Sequence, residues 1–530
     1  MIPERGGEFR RGPGDPHGVH GRMGPTIPAE KIEKPREFAD MDGAVEAAIL
    51  ESSPVEAIAG VSTIDAGWAG ERCPLCDDQA SGIGEMVLFG EYPTAQRDLL
   101  ATFAAMSHPG IDLRAPLHRV CLERWEGRLQ EAEMRCDGDD PYFIDLALGV
   151  TPILPTPMRM GADLRFTGRG VTIAFVDSGF YPHPDLLTPA NRVIGMYDAV
   201  RGREIRDIGR LAATDPRIEA WHGTMAASTA AGSGVLSHGH YRGIASEARL
   251  VLVKVMTPRY RIRTPQVVRA LEWILENYRR LDIRVVNLSL GVDETTDSME
   301  HPVIALVEEL VERGVVIVAA SGNNPANPIK PPGSAPSAIT VGGYNDNNSA
   351  EWMRRELWHS SYGDTPGGAH KPDLLAPAIW VAAPILPHTA VQAEAEALFH
   401  MACADARELP MMIDDLAALT AVGRQLLAAR DEPLLARSIV LARIASEKLI
   451  TAAYKHVDGT SFSAPIVSSI VAQMLEARPN LSPRQVKDIL CSTAMLLANV
   501  PPEVQGHGLV APDRALEATL SLVPEPAMML

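Results

Sequence analysis

Short apolar runs that alternate with helical patterns constrain this chain most. The runs lie at 171–177 (VTIAFVD), 250–256, 283–289, 315–320 and 338–342, with helices expected near 222–232, 264–280, 301–313 and 461–477. Apolar runs of this length, rich in β-branched residues, suit strands covered on both faces. Strand–helix alternation then predicts a doubly wound α/β fold, a parallel sheet with helices on both faces, whose ligands sit beyond the carboxyl ends of the strands. A chain of 530 residues with 46% hydrophobic content can hold one large domain and a smaller one.

Chemistry-bearing residues fall where such a sheet would present them. Val171 to Val176 ends in Asp177-Ser178-Gly179. His222-Gly223-Thr224 opens a helix of small residues. Gly459-Thr460-Ser461-Phe462-Ser463-Ala464-Pro465 leads into the apolar helical run IVSSIVAQMLEA. Taken singly these are ordinary: a turn, a helix start, an N-cap serine. A serine at a buried helix N-terminus also meets unpaired N–H groups and a dipole that favours negative charge. With a carboxylate and an imidazole supplied upstream, it has what a nucleophile needs.

The order Asp, His, Ser on these elements resembles the subtilisin-like serine proteases. The resemblance implies Ser461 as nucleophile, His222 as general base and Asp177 as the group that orients the imidazole. It implies Asn323, in the Ser321-Gly322-Asn323-Asn324 segment after the 315–320 strand, as oxyanion donor together with the Ser461 N–H; Asn324 next door is the alternative. IRVVNLSLG at 283–291 resembles the family's substrate-pairing strand, which implies Ser289, Leu290 and Gly291 as substrate-binding. Gly243-Ile244-Ala245, Lys371 to Pro377 and Gly506 to Val510 resemble structural landmarks. The likeness covers about 160–520, and a peptidase domain is expected over 155–522. Met225 stands where many relatives carry a second histidine outside the triad.

One interruption is large. Residues 385–456 are rich in Ala and Leu, and helices are expected at 390–407, 413–429 and 433–454, with breaks at Pro410 and Glu432-Pro433. Leu434, Leu435, Ile439, Leu441, Ile444, Leu449 and Ile450 form an apolar stripe in the last of these. The reading is a helical insertion packed on the protease, with a docking, dimerisation or gating element as the alternative.

The N-terminal part differs in kind. Residues 1–35 are rich in Gly, Pro and charge and are expected to be disordered. Within a module at 36–150, Cys73-Pro74-Leu75-Cys76 and His118-Arg119-Val120-Cys121 have the spacing of a closed structural zinc site; buried free thiols are the plainer alternative. The arrangement resembles a treble-clef finger. Cys136, Cys403 and Cys491 suggest no pairing, and the motifs do not decide for or against calcium.

A formal net charge of −18 argues against a broad nucleic-acid surface. No apolar run reaches the length of a membrane span, and no secretory h-region opens the chain, so a cytoplasmic location is expected. The expected function is a selective or partner-regulated serine endopeptidase acting on protein or peptide substrates. The N-terminal module and the insert are the candidates for binding a regulatory partner. The competing reading is a latent protease-fold scaffold that only binds peptides.

Overall fold

The computed structural model describes residues 153–209 and 216–522, together with the backbone of Met86–Val87 (β1) and Leu117–His118 (β2), which pair antiparallel. Cys73, Cys76, Cys121 and the side chain of His118 lie outside the described residues, as do residues 1–35 and most of 36–150.

The expected strands form at Thr172–Asp177 (β3), Arg249–Lys254 (β6), Ile283–Leu288 (β7), Val316–Ala320 (β8) and Ile339–Asn345 (β9). Val193–Asp198 (β4), Arg203–Glu204 (β5), Glu356–Leu357 (β10) and Leu374–Pro377 (β13) complete a nine-stranded sheet. Its order is β10-β9-β8-β7-β3-β6-β4-β5, with β13 also paired to β9. The interior pairs are parallel, and only the edge strands β5 and β10 run antiparallel. Small antiparallel pairs lie outside it: Gly363–Asp364 (β11) with His370–Lys371 (β12), and Val381–Pro384 (β14) with Tyr454–Val457 (β15).

The two-residue period of a strand decides what each face meets. Ile173 and Phe175 of β3 join one core with Ala227, Ala230 and Ala231 of Ala220–Ala231 (α1) and Ile466, Val467 and Ile470 of Thr460–Ala477 (α8). Ala174 and Val176 point the other way, against Val267, Leu271 and Ile274 of Thr264–Asn277 (α2) and Val303 and Val307 of Pro302–Glu312 (α3). All six residues of β3 are buried, which explains why its run is continuously apolar up to Asp177.

One buried ion pair ties residue 159 into the fold. The Arg159 guanidinium lies 2.5 Å and 2.6 Å from the two Asp346 oxygens, donates to the Trp380 carbonyl at 2.9 Å, and both charged side chains are fully buried. Arg159→Ala leaves an uncompensated buried carboxylate. It is expected to lower unfolding free energy by about 3–5 kcal/mol, measured by denaturant titration.

The insert is helical, in shorter pieces than expected: Ala390–Cys403 (α4), Leu409–Leu416 (α5), Gly423–Ala428 (α6) and Pro433–Ser446 (α7). Asp405 accepts from the Arg407 and Glu408 N–H groups and so ends one helix and starts the next. Gly423 sits so close to Ala417 that a Cβ would lie 2.2 Å from its carbonyl oxygen, which breaks 413–429 in two. The helix expected at 433–454 stops at Ser446 because Lys448 turns left-handed (φ 57°), and Tyr454 onward returns as β15. Of the expected apolar stripe, Ile444 and Leu449 lie in the insert's core together with Ala436 and Val440, Ile439 and Leu441 pack against it, and Ile450 is buried, whereas Leu434 is 88% exposed and Leu435 is exposed too.

Candidate functional site

Asp177 is the last residue of β3, at a carboxyl end of the sheet. Its Oδ1 accepts from the Ser178 N–H at 2.5 Å and from His222 Nδ1 at 2.7 Å. The carboxylate is almost wholly buried, and Oδ2 has no hydrogen-bond partner among the described residues. His222 lies in the first turn of α1, with its side chain about 41% exposed. Burial pulls the imidazole's pKa down, but the Asp177 charge and hydrogen bond outweigh it, so the net shift is upward from 6.5.

The glycine after His222 makes this approach feasible. A Cβ on Gly223 would lie 2.3 Å from the Gly179 carbonyl oxygen and 3.0 Å from Asp177 Cβ. Any side chain there pushes α1 away from the Asp177 turn. Gly223→Ala is expected to reduce turnover by on the order of 10²-fold, since a displacement of about 1 Å suffices for that; steady-state peptide hydrolysis measures it.

Ser461 follows Thr460 at the start of α8, half-buried, and the ring of the next residue, Phe462, has its centroid 5.6 Å from that of His222. The chain enters α8 through Gly459 at φ 127°, a region that L side chains rarely adopt. Asn323 reaches the same terminus from the end of β8. Its Oδ1 accepts from the Thr460 N–H and the Thr460 hydroxyl, both at 2.9 Å, and the Thr460 hydroxyl accepts from the Gly322 N–H at 3.1 Å. With the amide oxygen fixed, the NH₂ end is the donor left to offer. Asn324 instead turns its oxygen onto the Ala326 N–H at 2.9 Å, so only Asn323 is directed at the α8 start.

Ser289, Leu290 and Gly291 follow β7 as expected, but their side chains do different things. Leu290 is buried in the core and Gly291 is exposed. Ser289 is buried, and its hydroxyl donates to the Ser461 carbonyl at 2.7 Å. Behind it Asn287 donates to Ser289 Oγ at 2.9 Å, and Ser468 donates to Asn287 Oδ1 at 3.0 Å. Sequence reasoning did not find this network. Its one signal is a polar asparagine inside the buried strand VVNL.

Among the described residues no group of His, Cys, Asp and Glu could hold a metal ion, and no helix is long and apolar enough to cross a membrane.

A parallel α/β sheet that brings an aspartate, a histidine and a helix-start serine to one end defines a class of serine endopeptidase hydrolases. The family model described as Subtilase family, peptidase S8, matches residues 168–508, and the chain belongs to that family. It is 30% identical over 358 residues to the serine protease AprX of Bacillus subtilis (strain 168), covering 66% of this chain and 67% of that one. It is 33% identical over 187 residues to Subtilisin BL of Lederbergia lenta, covering 34% of this chain and 59% of the relative's length. Fervidolysin from Fervidobacterium pennivorans, described as a keratinolytic enzyme related to subtilisin, superposes with a TM-score of 0.46 at 20% identity, over 70% of this chain and 46% of that one.

Proposed function

We propose that peptide bonds are cleaved here by Ser461, with His222 as the proton carrier, Asp177 as its orienting anion, and Asn323 with the Ser461 N–H receiving the oxyanion. The observation that carries this reading is the 2.7 Å bond between His222 Nδ1 and Asp177 Oδ1. Nδ1–H donated to Asp177 leaves Nε2 as the lone pair that accepts the serine proton. Ser461 Oγ then bonds to the scissile carbonyl carbon. Collapse of the tetrahedral intermediate breaks the C–N bond, and His222 returns the proton to the leaving amine. Water repeats the sequence on the acyl-enzyme ester and regenerates Ser461.

The pH dependence tests the base. His222 works only when neutral, and its pKa is shifted upward. The rate constant kcat/KM is therefore expected to fall as pH drops through an ionisation above the ordinary imidazole value of 6.5. A profile flat from pH 5 to 8, on the order of the whole imidazole range, contradicts the assignment. For the oxyanion donor, Asn323→Ala is expected to lower kcat by about 10²–10³-fold with KM little changed, a scale known from subtilisin itself.

The proposal extends to a selective enzyme acting in the cytoplasm, held or directed by its accessory parts. Its support is the helical insert and a chain segment that precedes the matched 168–508 region. Among the described residues Cys491 forms no disulfide, and burial pushes its thiol up to about 12. By ligand spacing, Cys73, Cys76, His118 and Cys121 are proposed to hold a structural zinc ion. Elemental analysis of purified full-length protein is expected to find zinc bound stoichiometrically, and Cys73→Ser with Cys76→Ser to lose it.

A further inference from the structure

Asn323, read above as the oxyanion donor, is braced by a short segment that follows β10. Along 358–361 alternate residues turn to different neighbours. The Trp358 N–H donates to the Gly343 carbonyl at 3.2 Å, and the Ser360 hydroxyl accepts from the Gly343 N–H at 3.0 Å, so these two residues seat the segment on β9. His359 and Ser361 meet the loop after β8 instead. The Ser361 N–H donates to the Gly322 carbonyl at 2.9 Å, and the Ser361 hydroxyl donates to the Asn324 carbonyl at 2.7 Å. Between these two contacts, His359 Nδ1 lies 3.0 Å from the Asn323 carbonyl oxygen. Three successive carbonyls of the loop are held by one segment.

The ring contact has a fixed sense. A carbonyl oxygen only accepts, so His359 Nδ1 carries the proton whether the imidazole is neutral or charged. The ring stacks on Trp358, with centroids 3.9 Å apart and an interplanar angle of 28°. Ser360 and Ser361 are buried, whereas His359 is exposed. Of the side chains that hold the loop, His359 is therefore one that the core does not need.

Asn323 is thereby fixed at both ends. Thr460 holds its side-chain oxygen at the start of α8, and His359 holds its main-chain oxygen. The NH₂ group left for the oxyanion moves with both. We infer that His359 is a positioning residue for the oxyanion donor, acting through the Asn323 carbonyl. The inference rests on the assignment of Asn323 above. Such a donor works only where the charge develops, and a displacement of about 1 Å costs on the order of 10²-fold. Release of the main-chain end alone, with Thr460 still holding the side chain, is the smaller disturbance, on the order of tenfold in kcat.

A double-mutant cycle on the full-length protein separates this role from general support. His359→Phe keeps a ring to stack on Trp358 but offers no donor. It is expected to lower kcat for peptide hydrolysis by on the order of tenfold, with KM little changed and thermal unfolding near that of the unmodified protein. His359→Asn brings an amide N–H close to the place of Nδ1 and is expected to keep most of the rate. In an Asn323→Ala background, His359→Phe is expected to cost nothing further, because the group that it positions is gone. A folded His359→Phe protein with unchanged kcat, or one that loses the same factor with and without Asn323, overturns the positioning role. So does a folded His359→Asn protein as slow as His359→Phe. Unchanged kcat in Asn323→Ala would instead overturn the oxyanion reading on which the inference rests.

Discussion

Ser461→Ala protein is expected to hydrolyse peptide bonds at least about 10⁵-fold more slowly than the unmodified chain, with its fold intact. The serine hydroxyl is not part of the packing that holds α8. That packing comes from Phe462, Ala464, Ile466, Val467 and the residues beyond, which enter the main core. Nor does the hydroxyl make the contacts that fix the helix start, since Ser289 holds the Ser461 backbone carbonyl and Asn323 holds Thr460. Removal of one oxygen therefore deletes the attacking atom and little else. Residual hydrolysis by an attacking water, aided by the remaining oxyanion donors, sets the floor. Thermal unfolding within a few degrees of the unmodified protein, together with the lost turnover, is the expected pair of results. A variant that keeps a tenth of the activity would show that another nucleophile is at work.

The second large effect belongs to Asp177→Asn, expected to lower kcat by on the order of 10⁴-fold. The carboxylate accepts two hydrogen bonds on Oδ1, from the Ser178 N–H and from His222 Nδ1. An amide of the same shape keeps its oxygen on the Ser178 N–H and the imidazole but carries no charge, so the imidazolium formed when His222 takes the Ser461 proton loses its counter-ion. The pH profile gives an independent reading. Burial alone draws the His222 pKa down, and the Asp177 charge and hydrogen bond are what raise it. With the charge gone, the acid limb of residual activity is expected to move to lower pH than in the unmodified protein. A limb that stays in place would mean that Asp177 does not set the ionisation of the base.

Much of this was legible because it is local. The run from Val171 to Asp177 is apolar throughout because both faces of β3 are covered, and the first charged residue marks the strand's carboxyl end. The strand before Asn323 is likewise apolar, with its alternate residues buried in the two cores. The choice between Asn323 and Asn324 could not be made from sequence, since it depends on where each amide turns after the strand. Strand β4 was missed because it lies next to the sheet edge, with a glycine at 195 and an exposed Ile194, so its pattern lacks the continuous apolar run of the interior.

Within the insert, composition gave helices but not their ends. Those are set by a left-handed Lys448, by Asp405 capping its own turn, and by the close approach of Gly423 to Ala417. Exposed Leu434 and Leu435 illustrate the limit of an apolar stripe: in the first turns of α7 it is Ala436 that enters the insert's core, and the large apolar residues pack only from Ile439 onward. The Ser468–Asn287–Ser289 network joins residues far apart in the chain, and only the fold makes neighbours of them.

The most direct test of the central claim is covalent labelling of the purified full-length protein by a fluorophosphonate, with the modified residue located by mass spectrometry. Such reagents phosphonylate a serine only where a base and an oxyanion site activate it. The account predicts one label, on Ser461, abolished by Ser461→Ala and strongly slowed by Asp177→Asn. A label on a different residue, or none on folded protein, would contradict the claim that Asp177, His222 and Ser461 work as one site.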